Sequence, residues 1–140
     1  MRPLRVLLLL LPLLAGCGGL GYKTASVSGR VTLNGEPLAN AAVLFQPVAP
    51  EGNDNPGPGS AGVTDSEGRY TLTLTGEDAR GAVVGKHKVR ITLFQKDDSS
   101  DDRPKLYKQI PPKYYGRDTP LEYVVPAAGS ASADFQLTSP

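Results

Sequence analysis

From Ser26 onward the chain alternates apolar and polar positions with a period of two. Val27, Gly29, Val31 and Leu33 share one parity and Ser28, Arg30 and Thr32 the other, which predicts a strand with one buried face. Asn34 and Gly35 follow as a tight-turn pair, because both residues tolerate positive φ. Ala41, Val43 and Phe45 form a second alternating set. The Pro, Gly and Asn residues from Pro47 to Gly59 then exclude a regular element and predict an exposed loop. Ala61 and Val63 open a hairpin whose turn is Asp65, Ser66, Glu67 and Gly68. Tyr70, Leu72 and Leu74 supply its returning apolar face, with Thr71, Thr73 and Thr75 outward. After Gly85, Val89, Ile91 and Leu93 occupy one face and Lys88, Arg90 and Thr92 the other. A charged, Pro-rich stretch over 95–120 precedes two last sets, Leu121, Tyr123, Val125 and Ala133, Phe135, Leu137.

About seven short strands result, none able to bury its apolar side alone. The predicted fold is therefore all-β, an antiparallel β-sandwich over 26–140 in which two sheets cover each other and no helix is needed.

The first residues follow a different rule. Arg2 and Arg5 precede a run from Val6 to Leu14 that is apolar apart from the helix-breaking Pro12, the layout of a signal peptide over 1–16. A permanent transmembrane helix needs about 20 apolar residues, more than this run supplies. Leu14, Ala15, Gly16 and Cys17 resemble the lipobox of bacterial lipoproteins, in which small residues admit the signal peptidase to the bond before the cysteine. The resemblance implies that the Cys17 thiol carries diacylglycerol and that the new amino terminus is acylated, with palmitate expected. Two or more such chains hold a protein stably on a bilayer. By the same resemblance Gly18, where an Asp would mark inner-membrane retention, points to the outer membrane. Gly-rich residues up to Ala25 lack periodicity, so 17–25 is expected to be the lipidated cysteine and a flexible tether.

Composition narrows the function classes. The 140 residues include 16 Gly, 13 Pro and one Cys, which favours strands and turns and allows no internal disulfide. The formal net charge is +1, and without Arg2 and Arg5 it becomes −1, which argues against a nucleic-acid partner.

A family resemblance extends over Ser26 to Thr138. Gly29, Arg30 and Val31, the run Asn34 to Leu38, Ala42 and Val43, Thr64 and Asp65, Gly68 to Tyr70, and Gly85 to Val89 resemble carboxypeptidase regulatory-like domains. That resemblance implies a transthyretin-like sandwich and no peptidase chemistry. Ile110 to Tyr114 resemble the equivalent region of small envelope lipoproteins with this domain. Hydrolases of the transthyretin-like fold use several histidines and a C-terminal motif that this sequence lacks.

Candidate chemistry is sparse. His87 is the only histidine, and its parity with Val89 places it inward near a strand end, where a structural role is expected. A zinc site draws several His or Cys ligands and a nucleophile needs a base, so neither a resident metal nor a cofactor is expected. Asp97, Asp98, Asp101 and Asp102 are oxygen ligands of the type calcium accepts, but their spacing matches no EF-hand loop and a solvated loop is the plainer reading. Lys105, Tyr107, Lys108, Lys113, Tyr114, Tyr115 and Arg117 mix basic and aromatic groups. Of these Tyr107, Lys113, Tyr114, Tyr115 and Arg117 are candidate ligand contacts, the alternative being tyrosines that cover the sandwich edge.

The expected function is a non-catalytic envelope module on a lipid anchor, binding an envelope protein or polysaccharide. A small hydrolase using His87 and a carboxylate is the alternative from another class. A purely structural lipoprotein is the third.

Overall fold

Alternating segments separated by turn residues leave the chain nothing to build except strands. The computed structural model describes residues 21–94 and 110–140. Within them lie β1 (Thr24–Ala25), β2 (Ser28–Leu33), β3 (Glu36–Pro37), β4 (Ala41–Pro47), β5 (Ser60–Val63), β6 (Arg69–Thr71), β7 (Thr73–Leu74), β8 (Ala82–Val83), β9 (Gly85–Leu93), β10 (Glu122–Val125) and β11 (Phe135–Leu137). One 3-10 turn, Pro112–Tyr114, is the only helical element among the described residues. No helix there is long and apolar enough to cross a membrane.

The described residues are thus all-β, in mostly antiparallel sheets. The larger sheet has the order β10-β9-β4-β5-β7; a second runs β11-β2-β3, with β6 also on β2, and β1 pairs β8 in a small ribbon. The β4–β9 ladder extends from Ala41 opposite Leu93 to Pro47 opposite His87. Its inner residues Val43, Phe45, Val89 and Ile91 join Val31, Phe135 and Leu137 of the second sheet in one buried cluster. Alternation therefore did assign faces correctly for β2, β4, β9, β10 and β11.

Turn chemistry also follows the sequence. Asn34 and Gly35 have φ of 52° and 84°, the pair of left-handed residues that a two-residue hairpin of matching twist requires. Gly68 has φ of 75° and donates its N–H to the Asp65 carbonyl at 3.0 Å, closing the other predicted turn.

Four expectations need correction. The count of about seven strands becomes eleven among the described residues, because ladders break into two-residue pieces that no periodicity can register. The sheets are not wholly antiparallel: β11 lies parallel to β2, with Phe135 opposite Val31 and Leu137 opposite Leu33. The stretch 17–25 is not all tether, since Thr24 and Ala25 pair with Val83 and Ala82.

The fourth concerns β5, whose inward parity is the reverse of the expected one. Val43 stands opposite Gly62 and Phe45 opposite Ser60, so Ser60 is buried and Val63 exposed. The cause is crowding, for a Cβ at Gly62 would lie 2.5 Å from the Thr71 carbonyl oxygen. The returning segment is likewise not one strand. β6 pairs β2, Leu72 donates its N–H to the Val27 carbonyl, and β7 then pairs β5, so this segment passes from one sheet to the other.

Candidate functional site

The outer face of the β2–β6 pair carries an open groove of about 560 Å³. Strand alternation builds it. Ser28 stands opposite Thr71 and Arg30 opposite Arg69, so two hydroxyls and two guanidinium groups project from one side while Gly29 and Tyr70 face inward. Like charges directly opposite in a ladder repel; Glu67, paired with the Arg69 guanidinium, and the nearby Asp65 charge offset that cost. Asp134 Oδ1 accepts the Arg30 backbone N–H at 2.8 Å, Glu67 Oε2 lies 3.2 Å from Arg69, and Asp65 Oδ1 accepts the N–H groups of Glu67 and Arg69 at 2.9 Å each. The Arg30 Nε–H donates to the Glu67 carbonyl at 2.8 Å.

Electrostatics follow those contacts. The backbone N–H of Arg69, then that of Glu67, hold the Asp65 carboxyl below its ordinary range. Beneath the groove, burial pushes the Tyr70 hydroxyl upward, so it stays protonated and donates to the Ala133 carbonyl. The Arg69–Glu67 pair is solvent-exposed on both sides, and pairs of that kind contribute only about 0–1 kcal/mol. Arg69 is therefore free to exchange Glu67 for an incoming acceptor at small cost. Donors and carboxylate acceptors side by side suit a polar partner rich in hydroxyl or mixed charge.

The residues singled out from the sequence are distributed differently. Tyr114 is buried, and its hydroxyl oxygen accepts the Thr138 N–H at 3.1 Å, which fastens the C-terminal residues to the 3-10 turn. It is not a ligand-stacking surface. Lys113 places its Nζ 4.8 Å from the Tyr114 ring centroid, Tyr115 is half-buried against the core, and Arg117 is exposed. Tyr107, the acidic positions Asp97, Asp98, Asp101 and Asp102, and Leu14, Ala15, Gly16 and Cys17 lie outside the described residues. No group of three or more His, Cys, Asp or Glu able to hold a metal occurs among the described residues.

His87 is fully buried, as its parity predicted. Its Nδ1 lies 2.9 Å from the Gly85 carbonyl oxygen, which only accepts, so Nδ1 carries the proton and Nε2 presents a lone pair. That Nε2 has no hydrogen-bond partner among the described residues, and the ring packs 5.5 Å from Phe45. Burial lowers the His87 pKa from 6.5, against the opposing pull of the Gly85 carbonyl. The folded state consequently binds this proton less readily than the unfolded chain, and stability present above pH 6.5 is lost as pH falls below it. Urea-unfolding midpoints should drop between pH 7.5 and the ordinary carboxylate range for the wild type and drop less for His87→Phe. Equal declines would show that His87 is not the titrating group.

Sequence reasoning missed the groove because Arg30 and Asp134 are 104 positions apart. The one available signal was Asp65, whose side chain bonds its own backbone two residues on, a habit of turn aspartates. Compared with protein-family models, curated proteins and solved structures, the chain matches none.

Proposed function

We propose that this chain is a lipid-anchored lipoprotein of the bacterial cell envelope, held by acyl chains on Cys17 after removal of 1–16. The outer membrane is its proposed location. Its sheets form a carboxypeptidase regulatory-like, transthyretin-like sandwich that acts without catalysis, offering the β2–β6 groove to an envelope protein or polysaccharide. The observation that carries this function is the placement of Arg30, Arg69, Asp65 and Asp134 around one open groove. The hydrolase alternative finds less support, since His87 is shut away from solvent and no carboxylate is hydrogen-bonded to it among the described residues.

Fractionation and crosslinking of intact cells test both halves together. Cys17→Ala should move the protein from the membrane to the soluble fraction. Arg30→Ala/Arg69→Ala should stay with the membrane and lose crosslinked partner about tenfold, as expected for removing charge-assisted hydrogen bonds. Undiminished membrane association of Cys17→Ala refutes the anchor, and undiminished crosslinking of the arginine variant refutes the groove.

A further inference from the structure

The proposed anchor has a geometric consequence once the start of the described chain is located. Tyr22 packs its ring against Gly57, where a Cβ would lie 3.0 Å from the ring, and donates its hydroxyl to Glu77 at 2.6 Å. Thr24 and Ala25 are then fixed in the β1–β8 ribbon. Only four residue steps separate Gly21 from Cys17, a reach of at most about 14 Å. Crossing the polar headgroup layer takes about 5–7 Å of that. By comparison β9, with nine residues, is about 26 Å long. The tether is shorter than the body it holds, so the body cannot turn an arbitrary side to the bilayer.

The surface next to Gly21 suits that contact. Gly21 borders a cleft of about 260 Å³ whose walls include Tyr22, Pro47, Val48, Pro56 and Val83. Val124 stands opposite Lys86, and the Val48 N–H, one residue past β4, donates to the Lys86 carbonyl, so Val48, Lys86 and Val124 lie side by side at this end of the sheet. Val48 is 40% exposed and Val124 66%, the most exposed of the large apolar side chains. Phe94, also exposed, sits at the other end of β9, beyond Leu93. Positive charge here is partly neutralised: Lys86 and Lys88 both pair with Glu122, at 3.2 and 2.7 Å, and Tyr22 beside the cleft bonds the Glu77 carboxylate, while Lys23 lines the cleft.

We infer that the end of the larger sheet carrying Val48, Lys86 and Val124 lies against the lipid headgroups, with both valines entering the interface and the Lys86 amine held at its polar level. This inference rests on the anchor proposed above and adds to it the side of the protein that meets the membrane. Contact here depends on reach and on the apolar row, so added salt should leave it in place.

The chain contains no tryptophan, so a single introduced one reports its own surroundings. Lipidated full-length Val124→Trp and Phe94→Trp would be reconstituted in vesicles of phosphatidylethanolamine and phosphatidylglycerol containing brominated acyl chains. Val124→Trp should show blue-shifted emission and several-fold stronger quenching than Phe94→Trp, in low and high salt alike. Flotation of the same vesicles, with Cys17→Ser as the unlipidated control, separates the two ways of failing. Equal quenching in protein that floats overturns the membrane-facing side alone. Lipidated protein that floats no better than Cys17→Ser overturns the anchor and this inference with it.

Discussion

Replacing Phe45 with alanine should cost about 4 kcal/mol of folding free energy, as large-to-small changes at fully buried aromatics do. Phe45 is 1% exposed, and its ring centroid lies 5.5 Å from His87, 5.8 Å from Tyr123 and 6.0 Å from Phe135. These separations fall in the range where tilted aromatic pairs attract beyond simple burial. Phe45 and His87 belong to the larger sheet and Phe135 to the second, so the cavity would open where the two sheets meet. With total stabilities of about 5–15 kcal/mol for domains of this size, the variant would keep about 1–11 kcal/mol, so it should still fold in water and unfold at a much lower urea concentration. Phe45→Leu should retain most of the stability, because it keeps most of the volume. Urea unfolding followed by circular dichroism measures both, and a loss below about 1 kcal/mol for Phe45→Ala would contradict the placement of this ring.

Gly29→Ala should be nearly as damaging for the addition of one methyl group, with a loss of about 3 kcal/mol. A Cβ at Gly29 would sit 2.0 Å from the Ala133 carbonyl oxygen and 2.4 Å from its carbonyl carbon. Ala133 has little freedom to yield: its N–H donates to the Ser28 carbonyl at 3.0 Å and its carbonyl receives the Tyr70 hydroxyl. Either β2 or the segment before β11 must shift. Gly116→Ala is the matched control, since its nearest contact would be an ordinary 3.4 Å from the Pro112 carbonyl oxygen. Equal unfolding midpoints for the two variants would show that the close approach of Gly29 and Ala133 is absent in solution.

What the sequence discloses is which side of a strand is buried, because that depends only on parity. Val27, Val31, Phe45, Val89, Ile91, Val125 and Leu137 are all buried where alternation places them. Parity misleads at β5, where Gly62 and Ser60 stand opposite Val43 and Phe45 and the Thr71 carbonyl lies too close to Gly62 for any side chain there. Parity is also silent about neighbours. Nothing in Phe135, Gln136 and Leu137 reveals that they lie parallel to Val31, Thr32 and Leu33, since both alignments bury the same face. The groove shares that blindness, as its two arginines and two aspartates come from β2, β6 and the turns beside them. Tyr114 shows the opposite error: an aromatic in a basic, Pro-rich stretch suggests a contact surface, yet the 3-10 turn drives it into the core.

The parallel seam between β11 and β2 governs when folding can finish. Asn34 and Ser139, separated by 105 positions, exchange hydrogen bonds at 2.7 and 3.0 Å just past that seam. Contacts of such high order demand that a long loop close before they return any energy, which slows folding. Until Phe135 to Leu137 dock, one edge of β2 has no partner, although β3 and β6 hold the other, and the core lacks Phe135 and Leu137. Closing the β11–β2 seam is therefore a late event of folding, whichever hairpins form first.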